Sequence, residues 1–234
     1  MHDDVKQPSE PPHLRPRSYD ASRRQSAAAE TRTTIVRAAR ELFLERGFRA
    51  TTMAAIAERA NVAVDTIYAT CGKKPEILRE MIEHAISGQD AAIPARQRAY
   101  VQEMQTIPEA SEKLRRYAHA IADIQPRLAP LVHALQEAAT TDPALKSLWQ
   151  QISDRRAANM RQLAAELAST GELRPGLSIE DAADTIWATN GPELYSLLVL
   201  QRGWTLDHFE QWLADSWIRL LLQTPPVQNR DPST

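Results

Sequence analysis

Between Arg49 and Lys74 this 234-residue chain collects side chains suited to holding a polyanion. Thr51, Thr52, Thr66 and Tyr68 bring hydroxyls, Lys74 an ammonium and Arg49 a guanidinium. Groups of these kinds bind phosphate oxygens, and so position a protein on a nucleic-acid backbone without reading its sequence. Among them stand Ala63, Val64 and Asp65. Val64 suits a thymine methyl, and Asp65 suits either a cytosine amino group in the major groove or the positive end of a helix beginning there. Thr52 is equally a helix cap and Tyr68 equally a packing residue, roles compatible with phosphate contact.

Such groups work only on a rigid support, and the surrounding pattern predicts one made of helices. Ile35, Val36, Ala39, Leu42 and Phe43 form an apolar stripe at spacings of one, three and four. Gly47 ends that helix in the left-handed conformation glycine favours, which brings Phe48 back onto Phe43. Thr52 then caps a short helix bearing Ile56, Ala57 and Ala60. Asn61 tolerates the left-handed backbone of a tight turn, and Val62 and Ile67 point into the same small core. Ala57 is small because two helices cross there. Two short helices around a three-residue turn are a helix-turn-helix. Pro75 in a first turn opens a fourth helix, with Ile77, Leu78, Met81, Ile82, Ala85 and Ile86 inward.

The whole-chain totals agree. Only 7 glycines, with 43% apolar and 25% charged residues, fit an all-helical globular protein. The net charge of -2 conceals an asymmetry: residues 15–74 hold twelve Lys and Arg against six Asp and Glu, and residues 76–234 hold fifteen against twenty-one. A basic front joined to an acidic back fits a polyanion-binding module fused to one that binds something else, although a solvated arginine-rich face has the same composition. One cysteine, Cys71, excludes an intrachain disulfide; it reads as a small buried filler. With no apolar signal core and no run of 18 apolar residues, a cytoplasmic protein that does not span the membrane is expected. HExxH, a glycine-rich phosphate loop and a G-x-S-x-G elbow are all missing from the sequence, so no enzyme, metal or cofactor is expected. A non-DNA-binding adaptor, with the front helices as a protein interface, is the other alternative, and the basic front speaks against it.

The segment RTTIVRAARELFLERGFRATTMAAIAERANVAVDTIYATCGKKPEIL resembles the DNA-binding region of the TetR family without gaps. The likeness lies in Ala38, Ala39, Glu41, Leu42, Phe43, Gly47, Thr51, Thr52, Ile56, Ala57, Val62, Thr66, Tyr68 and Lys74. Five positions depart from the family pattern: Asn61 and Asp65 stand where glycine is usual, Ala63 where serine is, and Thr70-Cys71 where a His/Tyr-Phe pair is. The last removes an aromatic contact between the reading head and the next helix.

The resemblance implies an all-α protein in which a three-helix DNA-binding domain precedes a helical bundle for ligand binding and dimerisation. The expected division is a disordered basic arm over 1–21, a helix-turn-helix domain over 22–74, a ligand and dimer domain over 75–223, and a disordered tail over 224–234. Arg15, Arg17, Arg23 and Arg24 near the arm either lie along DNA or are merely solvated. Phosphate contacts are implied for Thr51, Thr52, Thr66, Tyr68 and Lys74, with Arg49 joining them. The implied partners are double-stranded DNA with a palindromic operator, a second copy of the chain, and a small-molecule effector that releases a repressor.

In the back, Leu114, Tyr117, Ala118, Ile121 and Ile124 mark one helix, expected to break at Pro126 before a second with Leu128, Leu131, Val132 and Leu135. A long helix follows from Asp142 to Gly171. Arg156 and Asn159 interrupt its apolar face and must either orient a ligand or pair with an acid such as Glu193. His119 and His133 read as surface or satisfied core residues. With the effector site implied inside this domain, Tyr117, Ile121, Trp149, Ile152, Arg156, Met160, Trp187 and Asn190 are its expected lining. Residues 179–201 and 205–223 are apolar around more than one face, which calls for a second buried side or a large internal core. The resemblance implies a dimer interface there, assigned to Leu194, Leu198, Phe209, Trp212, Leu213, Trp217 and Leu220.

Overall fold

The computed structural model describes residues 18–223; residues 1–17 of the arm expected over 1–21, with Arg15 and Arg17, and the tail expected over 224–234 lie outside the described residues. Helix α1 spans Ser18–Ala50. It begins inside the stretch expected as arm, because strong helix formers such as Gln25 and the Ala27, Ala28, Ala29 run favour continuation of the helix. Gly47, at φ 78 and ψ 164, interrupts its geometry as expected. The turn is locked from two sides. Phe48 packs on Phe43 with ring centroids 5.1 Å apart, and the buried Thr51 hydroxyl donates to the carbonyls of Gly47 (2.9 Å) and Leu42 (3.1 Å).

Helices α2 (Met53–Ala60) and α3 (Val64–Cys71) follow. The Thr52 hydroxyl accepts from the Ala55 amide at 3.1 Å, a cap typically worth about 1 kcal/mol. Asn61 adopts φ 53 and ψ 48, and the Val62 amide donates to Ala57 O at 3.0 Å, closing the three-residue turn. Arg59 ties α2 to α1 through Glu41 (2.9 Å) and Glu45 (3.1 Å). Helix α4 (Lys74–Ser87) carries Pro75 in its first turn, and the Glu76 carboxylate accepts from the Lys73 amide at 3.0 Å.

The back consists of α5 (Ala99–Thr106), α6 (Ala110–Ala139), α7 (Pro143–Ala168), α8 (Ile179–Thr189), α9 (Pro192–Tyr195) and α10 (Leu206–Leu221), with a π-helical stretch over Ser196–Gln201. Asp142 caps α7 by accepting from the Ala144 and Leu145 amides. Two expectations are corrected here. Pro126 does not break a helix: α6 runs through both Pro126 and Pro130. A proline removes one rung and clashes with the preceding turn, but α6 packs against α4, α7 and α10, and burial along its length outweighs the local defect. Residues 179–201 are not one helix, for α8 stops at Asn190 and Gly191, before Pro192.

Two apolar cores result. The first joins α1 to α4 and extends to Leu131, Leu135 and Ala138 of α6 and Leu145 and Leu148 of α7. The second takes the front half of α6, from Ala110 to Ala129, with α7, α8 and α10. Among the described residues no helix is long and apolar enough to cross a membrane.

Candidate nucleic-acid interface and internal cavity

The first turn of α3 faces outward. Ala63 and Asp65 are exposed, as is Tyr68 one turn later, whereas Val64 and Thr66 are half-buried and Val64 packs partly on the first core. No side chain caps the start of α3, so its first amides remain available to an acceptor. Asp65 lies in that first turn, where the helix dipole also favours an acid.

Other positions in the polyanion-binding set have internal duties. Thr51 is fully buried and its hydroxyl is spent on the α1 turn, so it braces the head rather than facing outward. Lys74 donates from Nζ to Phe48 O (2.7 Å) and Thr51 O (2.8 Å) and lies 4.2 Å from the centre of the Phe48 ring. Burial lowers the pKa of that ammonium, against the pull of Asp142. Arg49 is exposed and donates to the Thr141 hydroxyl at the α6–α7 turn. The neighbouring Lys73 is exposed, and it lines one cleft with Thr52, Tyr68 and Arg49. Sequence reasoning passed over Lys73 because only the register of α4 tells which of two adjacent lysines turns outward.

Cys71 is buried at the end of α3, and desolvation pushes its thiol up to about 11. The reactive thiolate is therefore scarce at neutral pH. A thiol reagent such as DTNB is expected to label Cys71 only in denaturant; rapid labelling of the native protein would refute this.

A cavity of about 860 Å³ opens between α4, the residues around Ala95–Gln97, α5, α6 and α7. Seven of the eight expected lining residues border it: Tyr117, Ile121, Trp149, Ile152, Arg156, Met160 and Asn190. Trp187 does not border it; its ring lies behind the Arg156 guanidinium, 4.5 Å from ring centre to Cζ. The Asn190 amide nitrogen donates to Tyr117 Oη (2.8 Å) and Met160 Sδ (3.0 Å). Burial raises the pKa of Tyr117, so its phenol stays protonated. Gln125, unforeseen from sequence, donates to Asn190 O at 2.7 Å and borders the same space. Arg156 forms no ion pair with Glu193. Helix α4 reaches both regions, with Lys74 gripping the head and Ile82 and Ile86 on the cavity wall.

Residues 35–81 match the family profile of the bacterial regulatory proteins of the tetR family. That match covers the head alone, so residues 35–81 are similar to a tetR-type DNA-binding domain. No protein of curated function matches it in sequence. Solved structures of transcriptional regulators share its fold across both head and body. A protein from Rhodococcus sp. described as a TetR-family transcriptional regulator is 19% identical, covers 83% of this chain and 99% of its own, and superposes with a TM-score of 0.64. NalD of Pseudomonas aeruginosa, the secondary repressor of the MexAB-OprM multidrug efflux pump, is 20% identical over 84% of this chain and 98% of its own, with a TM-score of 0.62. A transcriptional regulator from Saccharomonospora viridis in complex with choline is 20% identical over 83% and 99%, also at 0.62.

In the body the residues expected at a dimer interface divide. Phe209, Leu213 and Trp217 are fully buried within the protomer and fill its second core, so they have no surface to offer a partner. Leu220 is exposed, and Leu194, Leu198 and Trp212 are half-buried. Leu197 and Leu200, absent from the expected set, are exposed at 51% and 61%.

Proposed function

We propose that this protein is a cytoplasmic, sequence-specific transcriptional repressor of the TetR family that binds a palindromic operator as a homodimer and leaves it when a small molecule fills the body cavity. One observation carries the reading: α4 holds the head through Lys74 at one end and walls the cavity with Ile82 and Ile86 at the other. A ligand that alters the seat of α4 thereby alters the aim of α3. It shifts the population by no more than its differential affinity for the two arrangements.

In this reading Ala63, Val64 and Asp65 meet base edges. Thr52, Thr66, Tyr68 and the first amides of α3 meet phosphates. Arg49 turns from Thr141 to the backbone when DNA is present, and Lys73 supplies the exposed charge. Thr51 and Lys74 serve indirectly, by fixing the α1 turn on which Thr52 stands. Leu194, Leu197, Leu198, Leu200, Trp212 and Leu220 form the apolar surface that a second copy covers, setting two heads on a two-fold axis.

The test is recovery and footprinting of genomic DNA bound by the purified protein, which should return a palindrome with half-sites about one helical turn apart or a multiple of it. Recovery without sequence preference would refute it. On that operator, Lys73→Ala is expected to flatten the slope of log affinity against log salt by about one unit. Lys74→Ala leaves the slope unchanged and lowers the thermal midpoint. The converse result would return the phosphate contact to Lys74.

A further inference from the structure

Arg156, Gln125 and Asn190 border the cavity, and each has a buried polar atom with an unmet bond. Arg156 Nε is buried without a partner, and among the described residues no acid forms an ion pair with this guanidinium. Its nearest acidic influence is Glu193, an exposed residue whose Oε1 is taken by Gln136 at 2.6 Å. Burial lowers the pKa of Arg156, so the protein alone holds this charge at a cost that an anion would relieve. The Trp187 ring lies against one side of the guanidinium, and the unpartnered Nε is left to be met by an anion.

Around Arg156 stand Tyr117, Gln125 and Asn190, each at least nine-tenths buried. Gln125 Oε1 and Asn190 Oδ1 lack donors. The Gln125 amide nitrogen is committed to Asn190 O, which leaves its oxygen in want of an O–H or N–H. Gly191 permits this crowding: a Cβ there would collide with Glu193 Oε2 and fall 2.9 Å from Arg156 Nη1. The same wall includes aliphatic side chains, with Ile82, Ile86, Ile93 and Val101 among its members. The lining carries five arginines against two glutamates, Glu83 and Glu166, and Glu83 is shared by Arg98 and Arg155.

We propose that this cavity receives an apolar hydroxy acid, its carboxylate seated on Arg156 and its hydroxyl donating to the amide oxygens of Asn190 or Gln125. The assignment rests on the ligand-responsive reading above and narrows it to one chemical class. It disfavours a quaternary ammonium, because recognition of such a group needs open aromatic faces. The Trp187 face is already occupied by the chain's own cation.

The experiment compares four probes of equal chain length on the full chain by calorimetry, with Trp149 in the cavity wall as a fluorescence reporter. The probes are 3-hydroxydecanoate, decanoate, decan-1-ol and decyltrimethylammonium. A hydrogen-bonded charge pair should make decanoate bind about tenfold tighter than the alcohol, and the added hydroxyl should contribute a further factor of about three. Arg156→Gln should bring the acid and alcohol to similar affinity, while Arg161→Gln, at an exposed residue of α7 outside the lining, leaves the acids within about twofold of wild type. Should Arg156→Gln fail to fold, the four-probe order on the wild-type chain decides alone. Equal binding of the alcohol or the ammonium, or an unchanged acid preference in folded Arg156→Gln, overturns the proposal. Acid binding in the expected order that leaves the operator complex intact supports the cavity assignment and refutes the repressor reading. An operator complex that forms while the ammonium binds best does the reverse.

Discussion

Trp217→Ala is expected to destabilise the protein by about 3–5 kcal/mol, the range for truncating a large aromatic in a packed core. The indole is fully buried, stacks on Tyr117 with centroids 5.4 Å apart, and donates from Nε1 to the Thr189 hydroxyl at 2.7 Å. Removing it leaves a cavity where α6, α8 and α10 meet and strips that hydroxyl of its donor. Urea unfolding at two protein concentrations checks the prediction. The loss should be the same at both, because every contact broken lies within one protomer. A loss below about 1 kcal/mol, or one that grows on dilution, would move Trp217 back to an interface.

Leu200→Asp is expected to act in the opposite manner, sparing the fold and abolishing assembly. Its side chain is 61% exposed, so a charge there should change protomer stability by only about 0.5 kcal/mol. In a dimer face it would be buried without a partner. Two heads on one rigid dimer gain affinity because the second contact is intramolecular, so a monomer should bind the operator about 10²–10⁴-fold more weakly. Light scattering and a mobility shift read the two effects on one sample. A monomer with undiminished operator affinity, or an intact dimer, would refute the assignment.

Much of the head was legible in sequence because its devices are local. Gly47, Thr52 and Asn61 each act on neighbours within a few residues, and each adopts its expected role. The body is less local. The spacing of Phe209, Leu213 and Trp217 marks an inner stripe on α10 as clearly as an outer one, and only packing against α6 decides between them. The same limit applies to Lys73 and Lys74, adjacent residues separated in role by the rotation of one helix. Thr51 was assigned a surface duty because a threonine beside a cap looks exposed; its hydroxyl instead closes carbonyls nine and four residues earlier. The cavity lining was read well because α6 and α7 each present one face to it. Gln125 escaped notice because it lies beside Pro126, where the sequence suggested a helix end.

The prolines of α6 fall at the seam between the two cores, Pro126 within the stretch that serves the second and Pro130 just before Leu131 of the first. Neither supplies an amide, so the carbonyls of Ala122 and Pro126 lack their usual partners four residues on. A rod with two rungs missing at its middle flexes there before it flexes anywhere else. Any change in the mutual angle of the two halves of α6 therefore costs least at this seam. Ile124, Gln125 and Leu128, on the cavity wall, occupy that weak joint, so an occupant pressing on them acts where the least force produces the most bend.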